Sequence, residues 1–575
     1  MAGVRVGVVV DREGGGLCQA LAEDGAPAGP VERVPDVAAL VRERERADPP
    51  RWVWAATEAA YPALLEAGAR VARCHDLALT EAILLAHEGR WGEPRSLGAA
   101  WARLRGLPVA DDPRPRPPQT AWTGPGDGQA ALFEADRQGL PEGAGLLEVV
   151  VGVHAAQQRR LQRADPGGRL ALLAAAESAG ALAAVEMAGA GLPWRADVHE
   201  RLLVELLGPR PARGALPRRL AELAESIGAA FGGRQVNPDS PAQVVRAFAA
   251  NGVTVPSTRS HALRAVEHPA VPLLLHYKEL SRLYVAYGWT WLDAWVRAGR
   301  FRPQYVPGGV VSGRWATRGG GALQVPRAVR RAVVADPGWT LVVADAGQLE
   351  PRVLAALSGD RGLARAGLAG DLYAALAADA FGGDRARAKV ALLAAMYGGT
   401  GGAAGQLLGV LRDRFPDAVG YVEAAAGAGE EGLLVRSRLG RTCMPPSAAW
   451  RAATAGVGGP GEADGDGGAR RAARDRGRFT RNFVVQASAA DWALVLLAAL
   501  RRRLAALAGA GPPPGPQLVF FQHDEVVVHC QRDDAVAVAA AVAEAGEEAT
   551  RLVFGGVGVR FPLDTAVVGC YADAK

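Results

Sequence analysis

The 575-residue sequence has only five cysteines, Cys18, Cys74, Cys443, Cys530 and Cys570, and no two of them form a CxxC pair. That scatter excludes a zinc ribbon or a disulfide framework and places the expected protein in a reducing, cytoplasmic compartment. Long apolar runs are also lacking. Stretches such as 492–500 fall well short of the ~18 residues that cross a bilayer, so no membrane partner is expected. The first residues, MAGVRVGVVVDRE, carry a short apolar run but no cleavable signal pattern. Neither charge sign dominates strongly: 65 Lys and Arg face 60 Asp and Glu, a net +5. Such an excess permits a polyanionic partner without requiring one. Glycine (73) and proline (38) are plentiful but show no collagen period, and 49% hydrophobic with 22% charged residues is enough for a sizeable core. At about 150 residues per domain the length predicts about four domains.

Residues 1 to 110 alternate short β-rich runs (4–10, 52–55, 69–72) with Ala/Leu-rich helical stretches, the pattern of a small α/β domain. The stretch 110–128, crowded with Pro, Gly and Asp, reads as a linker. Helical periodicity runs from 145 to 300, interrupted by loops at 208–217 and 236–241. Strand-like runs follow at 332–335 and 340–344, then helices to about 500, broken by a Gly-rich segment at 456–468. The prolines at 512–516 precede an apolar run, 518–521, which 525–530 continues as a strand. There is no internal repeat.

Four segments carry chemistry. In LVVADAGQLEPR (341–352) an apolar strand delivers Asp345 just before the chain turns into a helix. A strand-end carboxylate suits a metal ion, and it equally suits capping the next helix. In FFQHDEVVVHC (520–530) the pair Asp524–Glu525 lies between two apolar half-strands. It reads either as a polar hairpin turn or as the second half of a two-metal site for in-line phosphoryl transfer. In DRARAKVALLAAMYGG (384–399) Asp384 is the expected N-cap, and Gly398–Gly399 the stop. Arg385, Lys389, Leu393 and Tyr397 share one face at four-residue spacing. Two cations in the first half of a helix oppose its dipole, which suggests that an anion such as a triphosphate meets that face, although a solvated basic face reads the same way. In RFTRNFVVQASAAD (478–491) Arg478, Asn482 and Gln486 form one polar stripe. Those side chains can reach minor-groove acceptors, or serve as a plain exposed face.

Taken in order, these segments resemble the motifs of the family-A, DNA polymerase I-like DNA polymerases. DAGQLEPR resembles DYSQIELR, RARAKVALLAAMYG resembles RxxxKxxNFGxxYG, and QHDE resembles the HDE motif. SGRWATRGGGALQVP (312–326) resembles TGRLSS…NLQNIP, and RFTRNFVVQASAAD resembles RxxxNxPxQGTAAD. The resemblance covers residues 145 to 575. It implies that Asp345 and Asp524 hold two Mg²⁺ ions, with Mn²⁺ as a substitute, and that Glu525 stands beside them. It implies that Arg385 and Lys389 clamp the triphosphate, with Lys389 counted among the catalytic residues. Tyr397 would close on the nascent pair, Glu350 would exclude a ribose 2′-hydroxyl, and Gln348 and Leu393 would complete the nucleotide site. Arg314, Gln324, Arg478, Asn482, Gln486 and His523 would line the primer terminus and minor groove. Residues 236–248 and 276–288 resemble the family's thumb.

The chain also departs from the family pattern. Leu393 replaces an aromatic residue, Ala346–Gly347 replace Tyr-Ser, and Tyr373 stands where a histidine is common. These changes point to a slower or less selective enzyme.

The resemblance implies a multidomain α/β and α+β protein, a right hand of palm, fingers and thumb preceded by a degenerate RNase H-like exonuclease domain. The expected boundaries are 1–135 for the exonuclease-like domain, 136–300 for the thumb, 301–370 and 488–575 for the palm, and 371–487 for the fingers. A separate 5′-nuclease domain is not expected. Asp11 and Glu13, after the 4–10 strand, imitate a DxE metal pair, but a polar strand-end turn is the preferred reading, and no carboxylate stands near Ala60 to join them. The expected activity is DNA-templated DNA synthesis in replication or repair, by a monomer acting on primer–template DNA and dNTPs in the cytoplasm at the nucleoid. The alternatives are a polymerase with an active 3′–5′ exonuclease, and a catalytically dead scaffold that binds primer–template.

Overall fold

The computed structural model describes residues 4–11, 13–113, 140, 144–212, 214–321, 325–399, 402–455, 466–508 and 515–574. Gln324 and most of the Gly-rich segment 456–468 lie outside these residues. Two compact units are formed by interleaved stretches of chain. The larger holds 1–190, 304–318 and 342–567; the smaller holds 191–303, 319–341 and 568–575.

The larger unit contains two main sheets and a two-stranded ribbon, Tyr305–Val306 with Ala316–Thr317. The N-terminal one has five strands in the order β3-β2-β1-β4-β5, namely Pro27–Val34, Gly16–Leu21, Arg5–Val10, Arg51–Trp54 and Arg73–Asp76. β1 to β3 form an antiparallel meander, and β4 and β5 add in parallel. Parallel strands need both faces covered. Trp52, Trp54, Val6 and Val8 are accordingly buried, in one cluster with Tyr61 and Leu182 of neighbouring helices. The expected strand at 69–72 is instead Arg73–Asp76. Its His75 and Asp76 are buried despite their polarity because they make hydrogen bonds to Gln157 and Thr57.

The second sheet has the order Gln517–Gln522, Glu525–Gln531, Trp339–Ala346, Leu563–Val568. The expected strand at 332–335 is a 3-10 turn, Val329–Ala332, followed by a single bridge at Val334. The 42-residue helix Asp466–Leu507 packs on helices Arg169–Ala190, Pro416–Glu430 and Ala535–Phe554. Two helices, Arg169–Ala190 and Gly467–Leu507, are long and apolar enough to cross a membrane. Their apolar windows are 67% and 89% buried inside the protein, as expected of core helices.

The smaller unit is mostly helical. Leu203, Leu220, Ile227, Phe248, Leu274 and Tyr277 form its core, and Trp194, Trp291 and Phe301 meet at tilted to edge-on angles with ring centroids 4.9–5.6 Å apart beside a three-stranded ribbon.

Candidate active site

The strand Trp339–Ala346 is apolar and buried as far as Ala344; Asp345 at its end is half-buried. The N-cap position of Leu349–Ser358 is Gln348, in the left-handed region at φ 58°, and its own side chain makes no capping hydrogen bond.

Strands Gln517–Gln522 and Glu525–Gln531 are joined by a two-residue turn, His523–Asp524, with the pair Gln522 and Glu525 closing it. His523 takes φ 58° there, a conformation uncommon for residues with a β-carbon and tolerated in tight hairpins. The turn is therefore one residue earlier than a literal Asp524–Glu525 loop. Asp524 is half-exposed at the tip, whereas Glu525 is already in the strand and buried. The amide of Ala346 donates to the carbonyl of Asp524 at 3.0 Å. That bond ties the residue after Asp345 to Asp524 and brings the two half-exposed carboxylates to neighbouring backbone.

Asp524 lines a cavity of about 70 Å³ together with Arg314, Glu350 and His523. Glu350 is its hub. Arg314 Nη2 donates to Oε1, and the Tyr397 hydroxyl donates to Oε2 at 2.6 Å. Gln486 Nε2 lies 3.5 Å from that same hydroxyl. Burial raises the Tyr397 phenol above its ordinary value, and Glu350 adds to the shift. Burial lowers the His523 imidazole, with Arg314 acting in the same direction and Glu350 against them.

A second network reaches the helix Arg385–Tyr397. Gln348 Nε2 donates to Asp371 Oδ1 at 2.7 Å, and its Oε1 accepts from the Leu372 amide at 2.8 Å. Asp371 Oδ2 accepts from Arg385 Nε at 2.7 Å, and the guanidinium lies 5.5 Å from the Tyr373 ring centroid. Burial would raise the Asp371 carboxyl, but the Arg385 and Gln348 hydrogen bonds outweigh it and hold the group below its usual range. The helix itself begins and ends as its sequence predicts. Asp384 accepts from the Arg387 amide at 3.0 Å, and Gly398 closes it at φ 77°. Lys389 is exposed on its surface, and Leu393 is half-buried.

Arg478 is exposed and paired with Asp475 one turn back. Asn482 and His523 each turn an atom inward that has no hydrogen-bond partner, Oδ1 and Nδ1 respectively, as does Gln522 with Oε1.

Two residues escaped the sequence reading. Arg352 is fully buried, and its guanidinium donates to the carbonyls of Gly347, Gly367, Ala369, Gly370 and Arg560 at 2.6–3.0 Å. It locks the turn after Asp345. Asp371 gave no signal beyond that of a helix cap, a role it also fills through the Ala374 amide.

At the N-terminal sheet Asp11 and Glu13 are exposed, and Asp11 Oδ1 accepts from the Glu13 amide at 3.0 Å in a local turn. The nearby cleft at the ends of β1 and β4 is lined by Val8, Val10, Trp54, Ala56 and Ala60, without a carboxylate.

Residues 211–567 match the model of DNA polymerase family A, and the chain belongs to that family. It is similar to the thermostable DNA polymerase I of Thermus filiformis, 30% identical over 326 residues, which is 51% of this chain and 36% of the relative. It is also similar to DNA polymerase I of Chloroflexus aurantiacus, 29% identical over 298 residues, 46% of this chain and 29% of the relative. The chain thus spans about a third of the length of the curated relatives it matches. In fold it resembles the solved POL domain of Pol1 from M. smegmatis in complex with DNA primer-template and dNTP. That likeness has a TM-score of 0.70 at 20% identity and covers 99% of this chain and 95% of that one. The mixed α/β architecture is therefore that of a polymerase I polymerase domain.

Proposed function

We propose that the protein is a DNA-templated DNA polymerase. The primer 3′-hydroxyl would attack the α-phosphate of a dNTP and release pyrophosphate. The observation that carries this reading is the Ala346–Asp524 backbone bond, which ties the end of the Asp345 strand to the hairpin turn of Asp524, itself in the lining of the cavity beside Glu350. Two strand-anchored carboxylates are the protein's share of a two-metal phosphoryl-transfer site.

Asp345 and Asp524 are the residues that would hold Mg²⁺, and hard carboxylate oxygens suit that ion. No group of three or more His, Cys, Asp or Glu among the described residues could enclose an ion. An ion there would complete its shell with water and phosphate oxygens, which is how Mg²⁺ binds in nucleotide enzymes. When bound, it supplies charge stabilisation to the transferring phosphoryl group. Arg385 and Lys389 would meet the triphosphate, Glu350 the sugar, and Tyr397 with Leu393 the nascent pair. Arg314, Gln324, Arg478, Asn482, Gln486 and His523 would contact the primer terminus and minor groove.

In this reading 301–370 and 488–575 are palm, 371–487 fingers and 136–300 thumb. Residues 1–135 are an RNase H-like exonuclease domain kept for structure. The strand order of its sheet suits that fold, and the apolar cleft at β1 and β4 offers no carboxylates for metal ions. The protein would work as a monomer in the cytoplasm, in replication or repair.

Primer extension on a recessed duplex with Mg²⁺ and dNTPs tests the reading, run beside Asp524→Ala and a control without dNTPs. Extension by the wild type alone, with an intact control primer, is the expected result. Primer binding without extension in any metal would leave a scaffold, and primer loss in the control would mean an active nuclease.

A further inference from the structure

We infer that Glu177, Arg441 and Asp491 form a buried platform that positions Arg314 in the active site, and that Glu177 and Arg441 are positioning residues for the reaction. This rests on the polymerase reading above. Arg441 Nη2 donates to Glu177 Oε2 at 2.6 Å, and its Nε donates to Asp491 Oδ1 at 2.9 Å. Ser437 adds a hydrogen bond to the other Asp491 oxygen at 2.5 Å. The three charged side chains are 10%, 2% and 0% exposed. They come from three remote segments: Glu177 from helix Arg169–Ala190, Arg441 from the turn after Ser437, and Asp491 from the long helix.

A buried triad of two carboxylates and one guanidinium is costly to assemble, so its reason lies in what rests on it. The loop 306–315 does. Gly308, at φ 60°, lies so close to Glu177 that a β-carbon there would stand 2.7 Å from Oε1. Gly313, at φ 84°, lies on the Arg441 guanidinium, where a β-carbon would stand 2.3 Å from Nε. Both glycines are thus required twice, for their backbone conformation and for the close approach. Arg314 follows Gly313 directly and reaches Glu350. The next residue, Trp315, is buried against the same helix. Gly180, one turn beyond Glu177, leaves the room, since a β-carbon there would come 3.2 Å from the Trp315 ring and 2.9 Å from Leu494. The loop is therefore seated at Gly308, Gly313 and Trp315, and Arg314 is aimed between the last two seats.

Glu177 lies outside the 211–567 family match, so a segment N-terminal to that match helps to shape the site. A group misplaced by about 1 Å can lose on the order of 10²-fold in rate without loss of the fold.

The test measures single-nucleotide kcat and KM, primer–template Kd and circular dichroism for Glu177→Gln, Arg314→Ala and the double variant. Hydrogen exchange of 306–315 is followed in parallel. We expect Glu177→Gln to lower kcat/KM at least tenfold while Kd stays within threefold, and the double variant to be no worse than Arg314→Ala alone. Exchange of the loop should rise. Additive losses, or full activity in Glu177→Gln, would overturn the inference. If Glu177→Gln does not fold, Gly308→Ala disturbs the same seat from the loop side and is read by the same criteria. Should the wild type fail to extend primers, the polymerase reading falls. Hydrogen exchange then decides the platform alone: unchanged protection of 306–315 in Glu177→Gln would refute it.

Discussion

The hydroxyl of Tyr397, at the end of the helix Arg385–Tyr397, lies 2.6 Å from Glu350 Oε2 in the first turn after the Asp345 strand. Since Arg314 holds the other oxygen, the Glu350 carboxylate is fixed at both oxygens and the side chain forms a fixed part of the cavity wall. In the proposed function that wall meets the sugar. Replacing it with a smaller side chain, Glu350→Ala, is expected to raise ribonucleotide incorporation relative to dNTP by about 10- to 200-fold, the range a small steric change yields. Tyr397→Phe leaves the wall in place but frees one oxygen, and its selectivity should move much less. Competing rNTP and dNTP incorporation measures both. An unchanged ratio in Glu350→Ala would remove this residue from sugar selection.

Arg385 is pre-placed by an exposed ion pair, with side-chain exposures of 52% for Arg385 and 39% for Asp371. Exposed pairs contribute about 0–1 kcal/mol to stability. Arg385→Ala should therefore unfold at nearly the wild-type temperature. In the proposed function Arg385 also meets the triphosphate, and charge-assisted hydrogen bonds to phosphate are worth about 1.5–3 kcal/mol each. The KM for dNTP is expected to rise by about 10- to 100-fold with primer–template affinity unchanged. A KM within twofold of the wild type would show that Arg385 belongs to Asp371 and not to the nucleotide.

Much of the site could be read from the sequence because local rules and chemistry agreed there. The 385–397 helix begins at Asp384 and ends at Gly398 as caps dictate, and the apolar run before Asp345 forms a strand. What could not be read depends on distant partners. β3, PAGPVERV, is polar, proline-containing and largely exposed, so composition alone reads it as loop; only its pairing with β2 makes it a strand. Glu177 sits in an Ala/Leu-rich helix and finds its cation 264 residues away. Arg352 looks like a helix-surface residue until five carbonyls from three segments converge on it.

Arg352 yields a prediction about stability. Its guanidinium is buried without a hydrogen-bonded carboxylate, and burial lowers its pKa, eased in part by Asp564 and Asp371. Removing it orphans several buried carbonyls at about 1–3 kcal/mol each. Arg352→Met should destabilise the fold by at least about 3 kcal/mol in chemical denaturation. Arg352→Lys should recover little, because an ammonium cannot serve carbonyls spread around a planar fork. Wild-type stability in Arg352→Lys would show that one or two of these contacts suffice.

The N-terminal domain should be acid-sensitive through a buried histidine pair. His75 and His154 lie 4.8 Å apart, ring edge to ring face; His75 is hydrogen-bonded to Gln157, whereas neither nitrogen of His154 has a partner. Burial lowers His75 from its ordinary 6.5 to about 4, with Arg51 and Arg5 acting in the same direction, and lowers His154 to about 2, with His75 and both arginines adding to the effect. Depressed values in the folded state mean that the unfolded chain binds these protons first. The stabilisation is complete above pH 6.5 and is lost as pH falls below it, at a slope approaching about 1.4 kcal/mol per pH unit for each ring. Between pH 6.5 and 5 most carboxylates remain ionised, so the histidines dominate the slope there. Unfolding free energy measured from pH 7.5 to 4.5 should fall steeply in the wild type. His154→Leu, which removes one of the protons taken up on unfolding beside those of His75 and His199, should show a distinctly shallower slope between 6.5 and 5. Equal slopes in the two proteins would mean that His154 gains access to water before the domain unfolds.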